Sequence, residues 1–265
     1  MTDFHKPLDL FNVKGRSAVV TGATGALGRT ATLLLANMGA NLSIAAGSES
    51  DLEEVADEAR KAGAEVLTVN RRPEKISDAE AIVAAAVDRF GGVDVLIVAS
   101  GTNIPKMIDE MPTEEWEDVM DANVRGSWLM CKAAGPRMIS QGRGGKVVLI
   151  SSVRGRHGSP LGYSAYCTSK AAVDGLTRSL ALEWGKHKIN VNAIGPTVFR
   201  SKLTAWLFDD EKTGGPANVP ALKRIPLGRL GEPEDLSGIL AFLVSPASDF
   251  CTGQVIYVDG GYSAG

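Results

Sequence analysis

The chain has 265 residues and nearly balanced charge, with 28 Lys and Arg against 31 Asp and Glu and a formal net charge of −3. No basic stripe is available to displace counterions from phosphates, which argues against nucleic acid as a partner. No apolar run reaches the ~18 residues a membrane span needs, and the opening residues lack the apolar core of a signal peptide, so a cytoplasmic protein without membrane contact is expected. Short β-branched runs at Ser17–Thr21, Leu42–Ala46, Glu65–Val69, Val93–Ala99, Lys146–Ser151, Ile189–Ile194 and Gln254–Val258 read as strands. Helical patterns at 26–38, 49–62, 77–90, 113–140, 163–185 and 232–245 fall between them, with Ser77 and Thr113 opening two sequences that look capped. Runs such as Val95-Leu96-Ile97-Val98 suit strands covered on both faces. Strand and helix alternating in this way predict an α/β fold: a parallel sheet with right-handed crossovers and helices on both faces. No linker divides residues 1–265, so one domain is expected, and the aperiodic stretch at about 198–229 reads as a lid over a site.

The first strand runs into Thr21-Gly22-Ala23-Thr24-Gly25-Ala26-Leu27-Gly28 and then an apolar helix. A glycine-rich turn there lets backbone amides approach a pyrophosphate at the helix N-terminus. The spacing resembles the TGxxxGxG fingerprint of the short-chain dehydrogenase/reductase family, with Ala26 where the middle glycine is usual. At the end of the second strand, Ala46-Gly47-Ser48 offers no acid to repel a ribose 2′-phosphate, while Arg71 and Arg72 follow the third strand. These residues lean the cofactor toward NADP over NAD. After the fourth strand the family's Asn-Asn-Ala-Gly reads Val98-Ala99-Ser100-Gly101, which keeps Gly101 and Ala99 as backbone neighbours of the cofactor.

Tyr166 and Lys170 stand four apart in a helical pattern, so phenol and ammonium share a face. A free phenol titrates near ~10, and a nearby cation is expected to lower that value. With Asn123 upstream and Ser152 ending the fifth strand, these residues are similar to the family's Asn-Ser-Tyr-Lys tetrad. Asn192-Ala193-Ile194-Gly195-Pro196 and Val258-Asp259-Gly260-Gly261 follow in the family's order, so the resemblance covers about residues 12 to 262. It implies a Rossmann-like, doubly wound parallel sheet of seven strands and an NAD(P)-dependent oxidoreductase interconverting a secondary alcohol and a ketone, without a metal. By the same resemblance Tyr166 is the acid/base, and Ser152 holds the substrate oxygen. Lys170 tunes the phenol and holds the ribose, and Asn123 anchors a proton-relay water. Pro196, Val198 and Ser201 flank the nicotinamide.

The substrate side reads Arg154, His157, Tyr163 and Trp206, which points to a small polar or anionic molecule such as a sugar acid or hydroxy acid. A 3-oxoacyl-carrier-protein reductase is an alternative that needs a basic docking surface, hinted at by Arg125, Arg154 and Arg156. A nucleotide-sensing homologue without turnover is another. Cys131, Cys167 and Cys251 are too few and too far apart for a disulfide scaffold, and Cys167 is expected to pack rather than react. Family members are mostly homotetramers, which the apolar run Gln254–Val258 suits.

Overall fold

Each strand of the sheet carries apolar side chains on both of its faces, so each needs cover above and below. The computed structural model describes residues 6–202, 204–208 and 222–265, without the side chains of residues 206 and 208. Seven parallel strands form one sheet: β1 (Ser17–Thr21), β2 (Asn41–Ala46), β3 (Val66–Asn70), β4 (Val95–Val98), β5 (Gly145–Ile150), β6 (Ile189–Pro196) and β7 (Val255–Val258). Every expected strand is present, with bounds within two residues of the expectation. Helices α1 (Ala26–Asn37), α2 (Glu49–Lys61), α3 (Ile76–Phe90), α4 (Thr113–Met120), α5 (Gly126–Gln141), α6 (Ser164–Trp184) and α7 (Ser237–Leu243) make the connections. The fold is Rossmann-like.

The strands lie in the order β3-β2-β1-β4-β5-β6-β7. The chain winds outward from β1 through β2 to β3, then crosses back to place β4 on the other side of β1. That reversal opens a crevice beyond Thr21 and Val98, which are paired at the carboxyl ends of β1 and β4. Strand alternation splits the interior in two. Val95 and Ile97 of β4 face a core that includes Leu35, Leu52 and Leu240, while Leu96 and Val98 face one built on Ile82, Met130 and Met138.

Four helix expectations change. Ser77 lies inside α3, whose start is fixed instead by the Asp78 carboxylate accepting the Lys75 N–H at 3.2 Å. Thr113 is the first residue of α4, after Pro112, and no side chain caps that end. The run expected at 113–140 is continuous but passes through a π-helical turn at Asp121–Arg125, and the late helix shortens to α7 behind a 3-10 turn at Pro233–Leu236. A π turn adds one residue to the ring, which rotates the helix face and commonly marks a functional position. Asn123 sits in it.

Leu96 is fully buried in the central strand that borders the crevice. Leu96→Ala is expected to cost about 2–5 kcal/mol of unfolding free energy in a urea titration. A loss well under 1 kcal/mol would mean that this core does not hold the crevice in place.

Candidate active site

The β1–α1 turn is shaped by backbone crowding. Gly22 has φ of +68°, and a Cβ there would come 2.5 Å from the Ser100 amide nitrogen. A Cβ on Gly28 would collide with the Gly22 carbonyl. Gly25 caps α1 without a side chain, so the helix's first amides and its positive end face the crevice. This cradle fits a dinucleotide pyrophosphate, with the methyl of Ala26 on its half-buried rim. Thr24 and Leu27 flank the same turn. Ser100, standing where the family has alanine, bonds the Thr21 hydroxyl at 3.1 Å and ties β1 to β4.

At the end of β2, Ala46 is buried, Gly47 is exposed, and Ser48 caps α2 by accepting the Asp51 N–H. The two arginines separate here. Arg71 is committed to Asp78 at 2.7 Å and holds that carboxyl below its usual range. Arg72 instead lies across Gly47, where a Cβ would collide with its guanidinium. Among the described residues no acid pairs with Arg72.

The chemical groups converge at the carboxyl ends of β5 and β6. Ser152 lies two residues beyond the end of β5, and its hydroxyl acts on the Tyr166 phenol to draw its pKa down. The same serine oxygen accepts the Arg154 N–H at 3.1 Å and lies 3.3 Å from the Pro196 carbonyl that ends β6. Lys170 Nζ donates to the Ile150 carbonyl at 2.9 Å and lies 5.5 Å from the centre of the Tyr166 ring. Asn123 clamps the loop after β4, its Oδ1 accepting the Thr102 N–H at 2.8 Å while Nδ2 donates to Thr102 O and Ser169 Oγ, both at 2.9 Å. A Cβ on Gly101 would fall 2.7 Å from Asn123 Oδ1 and 3.5 Å from Lys170 Nζ, so only glycine fits over this pair. Ala99 extends β4 by donating to Thr21 O.

Burial sets the electrostatics. Burial raises the Tyr166 phenol above its ordinary value, with the Ser152 hydrogen bond and the Arg154 guanidinium pulling the other way. This corrects the expectation of a phenol lowered by Lys170. The ammonium lies over the ring, 5.5 Å from its centre, and its own pKa is pushed down to about 8 by burial, opposed by Asp174. Asp174 was not among the expected residues. It lies one turn beyond Lys170, nearly inaccessible, and accepts a 2.5 Å hydrogen bond from Ser151. Its spacing from Lys170 was the available signal. Burial lifts the Cys131 thiol to about 12 and raises Cys167 as well, so neither is a poised nucleophile.

On the substrate side, Tyr163 stands edge-on to Tyr166 with ring centres 6.1 Å apart. Arg154 lies over the Tyr163 ring at 5.8 Å, and His157 Nε2 is buried without a hydrogen-bond partner. Arg125 pairs with Asp121 across one helical turn. The beginning of the expected lid is pinned by Phe199 pairing with Gly231 and by Val198 O accepting the Gly231 N–H. Ser201 Oγ bonds Thr204 Oγ1 at 2.8 Å. Trp206 and Phe208 belong to a 3-10 turn, Ala205–Phe208, and their side chains lie outside the described part, as do residues 203 and 209–221. No helix among the described residues is long and apolar enough to cross a membrane.

A family model described as enoyl-(acyl carrier protein) reductase matches residues 22–263. An uncharacterized oxidoreductase of Mycobacterium tuberculosis is 51% identical over 96% of this chain and 93% of its own length. The chain belongs to the short-chain dehydrogenase/reductase family. It is an oxidoreductase of the kind that acts on CH–OH groups. The 2-dehydro-3-deoxy-D-gluconate 5-dehydrogenase of Escherichia coli is 36% identical, covering 97% of this chain and 99% of that one. A solved Agrobacterium tumefaciens protein, named as a candidate 2-deoxy-D-gluconate 3-dehydrogenase and holding NADP, superposes with a TM-score of 0.87 at 32% identity over 97% and 100% of the two chains. Carveol dehydrogenase of Mycobacterium avium, at 27% identity and a TM-score of 0.89 over 96% and 99%, holds NAD.

Burying Lys170 costs stability that pH can reveal. The folded chain binds this proton less tightly than the unfolded chain does, so stability rises as pH climbs from about 8 toward the ordinary lysine value of 10.5. Lys170→Met is therefore expected to be more stable than wild type at neutral pH, by on the order of 2–3 kcal/mol, with the gap closing over that window. A gap independent of pH in urea titrations would show that the ammonium is not desolvated.

Proposed function

We propose that this protein interconverts a secondary alcohol and a ketone on a small polar substrate of the sugar-acid or hydroxy-acid kind, using NADP in preference to NAD. The observation that carries the reading is the Tyr166 phenol, with the Ser152 hydroxyl acting on it, beside a buried Lys170 in the crevice where the strand order reverses. A bound nicotinamide dinucleotide supplies the hydride acceptor or donor. The residues do the rest. Thr21, Gly22, Thr24, Gly25, Ala26, Leu27 and Gly28 hold the pyrophosphate end, while Ala46, Gly47, Ser48 and Arg72 receive the adenosine ribose. Ala99, Gly101, Pro196, Val198 and Ser201 line the nicotinamide side.

Tyr166, kept protonated by burial, gives its proton to a carbonyl oxygen in reduction and takes one back in oxidation. Ser152 donates to the same oxygen as its charge develops. Arg154 and Lys170 offset the charge left on the phenolate. Asn123 spends its side chain holding the Thr102 backbone, so its contribution to a proton path is through the π turn's backbone. The preference for NADP rests on Arg72, which is free to meet a 2′-phosphate while Arg71 is not. Val198 through Arg229 act as the lid of a single catalytic domain.

A homotetramer is supported by apolar surface on the elements such assemblies use. Trp116 and Trp128 on α4 and α5 are 41% and 46% exposed, Leu182 on α6 is 86% exposed, and Phe250 before β7 is fully exposed. Free thiols at Cys131, Cys167 and Cys251 suit the cytoplasm.

The test is the absorbance of the reduced nicotinamide during incubation with a panel of alcohols and ketones. Tyr166→Phe is expected to lower kcat by about a hundredfold or more while cofactor affinity stays within about twofold, and an unchanged kcat refutes the role. Arg72→Gln is expected to cut the NADP-to-NAD ratio of kcat/KM by about tenfold or more, as loss of one charge-assisted hydrogen bond requires. A tenfold preference for NAD in the wild type would overturn the NADP assignment.

A further inference from the structure

Three residues near the reacting phenol, drawn from two distant parts of the chain, surround one buried ring. Tyr262 is 3% exposed. Arg224 lies 4.4 Å from its ring centre and donates from Nη1 to its hydroxyl at 3.0 Å. Arg154 approaches the same ring at 5.6 Å, and His157 stands edge-on at 6.1 Å. The tail reaches this place because Gly260 and Gly261 take φ of +63° and +91°, turning the chain back against Ile225 and Pro226.

The cluster is unbalanced in charge. Arg154, Arg156 and Arg224 pair with no acidic side chain among the described residues, and Arg154 satisfies one N–H on the Gly158 carbonyl at 2.6 Å. The acid that acts on His157 is Asp259, whose two oxygens are occupied by the N–H groups of Gly261 and Ser263, both at 2.9 Å. Burial, then Arg156, Arg224 and Arg154, hold His157 below its ordinary value, a measure of how positive the surroundings are. Its Nε2 is buried and unpartnered. A buried polar atom without a partner beside unpaired guanidiniums costs free energy that an anion with oxygen acceptors would recover.

We propose that Arg154, Arg224 and His157 Nε2 form a carboxylate-binding subsite against Tyr262, so that the substrate is a hydroxy or oxo acid held by its carboxylate. This rests on the redox reading above and adds the group recognised and the residues that recognise it. Arg224 and Tyr262 become specificity determinants. The subsite adjoins the chemistry, since the Arg154 N–H donates to Ser152 Oγ and the Arg154 guanidinium acts on the Tyr166 phenol. A planar carboxylate matches the forked guanidinium geometry.

The experiment measures, with the full chain and saturating NADP, calorimetric binding of D-gluconate against D-gluconamide and of L-lactate against lactamide, together with turnover of each. At least one acid is expected to bind about tenfold or more tightly than its amide. Arg224→Gln, at an exposed position, is expected to reduce that acid-to-amide ratio about tenfold, Arg224→Lys to restore part of it, and the distant Lys61→Gln to leave it alone. Equal binding of acid and amide for both pairs, or a ratio unmoved by Arg224→Gln and Arg154→Gln alike, overturns the subsite, and turnover of neutral alcohols would then leave the redox reading standing. Arginine-dependent acid binding with no cofactor reduction by any acid or alcohol upholds the subsite and overturns the redox reading.

Discussion

A lysine ammonium buried against a strand-end carbonyl sets the geometry of everything chemical in this protein. Lys170 Nζ donates to Ile150 O, the last residue of β5, and thereby fixes how far α6 has advanced past that strand. Ser151, the next residue, adds a bond to Asp174 one turn further along α6. Ser152 then meets Tyr166, one turn before the lysine. Three successive positions at the end of a strand thus read three successive turns of one helix. Register, once set, delivers the phenol, the hydroxyl and the ammonium together. The arrangement trades stability for that placement, because an ammonium taken out of water is costly unless something compensates it.

A chain of net charge −3 nevertheless keeps a positive line through its crevice. It begins with the uncapped N-terminus of α1, continues through Arg72 over Gly47 and the ammonium of Lys170, and ends with Arg154 and Arg224 on Tyr262. Asp174 stands beside Lys170 and Asp259 near His157, but many of the other carboxylates are tied into surface pairs such as Arg29 with Glu58, Arg60 with Glu53 and Arg229 with Asp235. Segregation of this kind gives an anionic ligand a favourable field without making the whole molecule basic.

Much of this was legible in the sequence because the signals are local. Apolar runs such as Val95–Val98 announce a doubly covered strand, and a phenol and an amine four residues apart in a helical pattern announce a shared face. What was not legible depends on distance through space. Arg71 and Arg72 are equivalent as letters, and only the position of Asp78 decides that one is consumed and the other free. The direction of the Tyr166 shift depends on how much of the molecule covers it, which spacing does not encode. Arg224 and Tyr262 are brought to Arg154 by a double-glycine turn near the chain's end. The π turn around Asn123 has no composition of its own, and its place shows only in the fold, where Asn123 holds the Thr102 backbone. Helix starts at Ser77 and Thr113 read as capped, yet Asp78 and Pro112 govern those ends.

The most direct test of the claim that Tyr166 and Lys170 work as one buried proton-transfer unit is the pH profile of kcat/KM for alcohol oxidation in wild type and Lys170→Met. The account predicts a single rise whose midpoint lies above the lysine's value of about 8 and belongs to the pair rather than to either group. Replacing the ammonium should move that midpoint by about one unit or more and lower the plateau. A profile with the same midpoint and plateau in both proteins would contradict it.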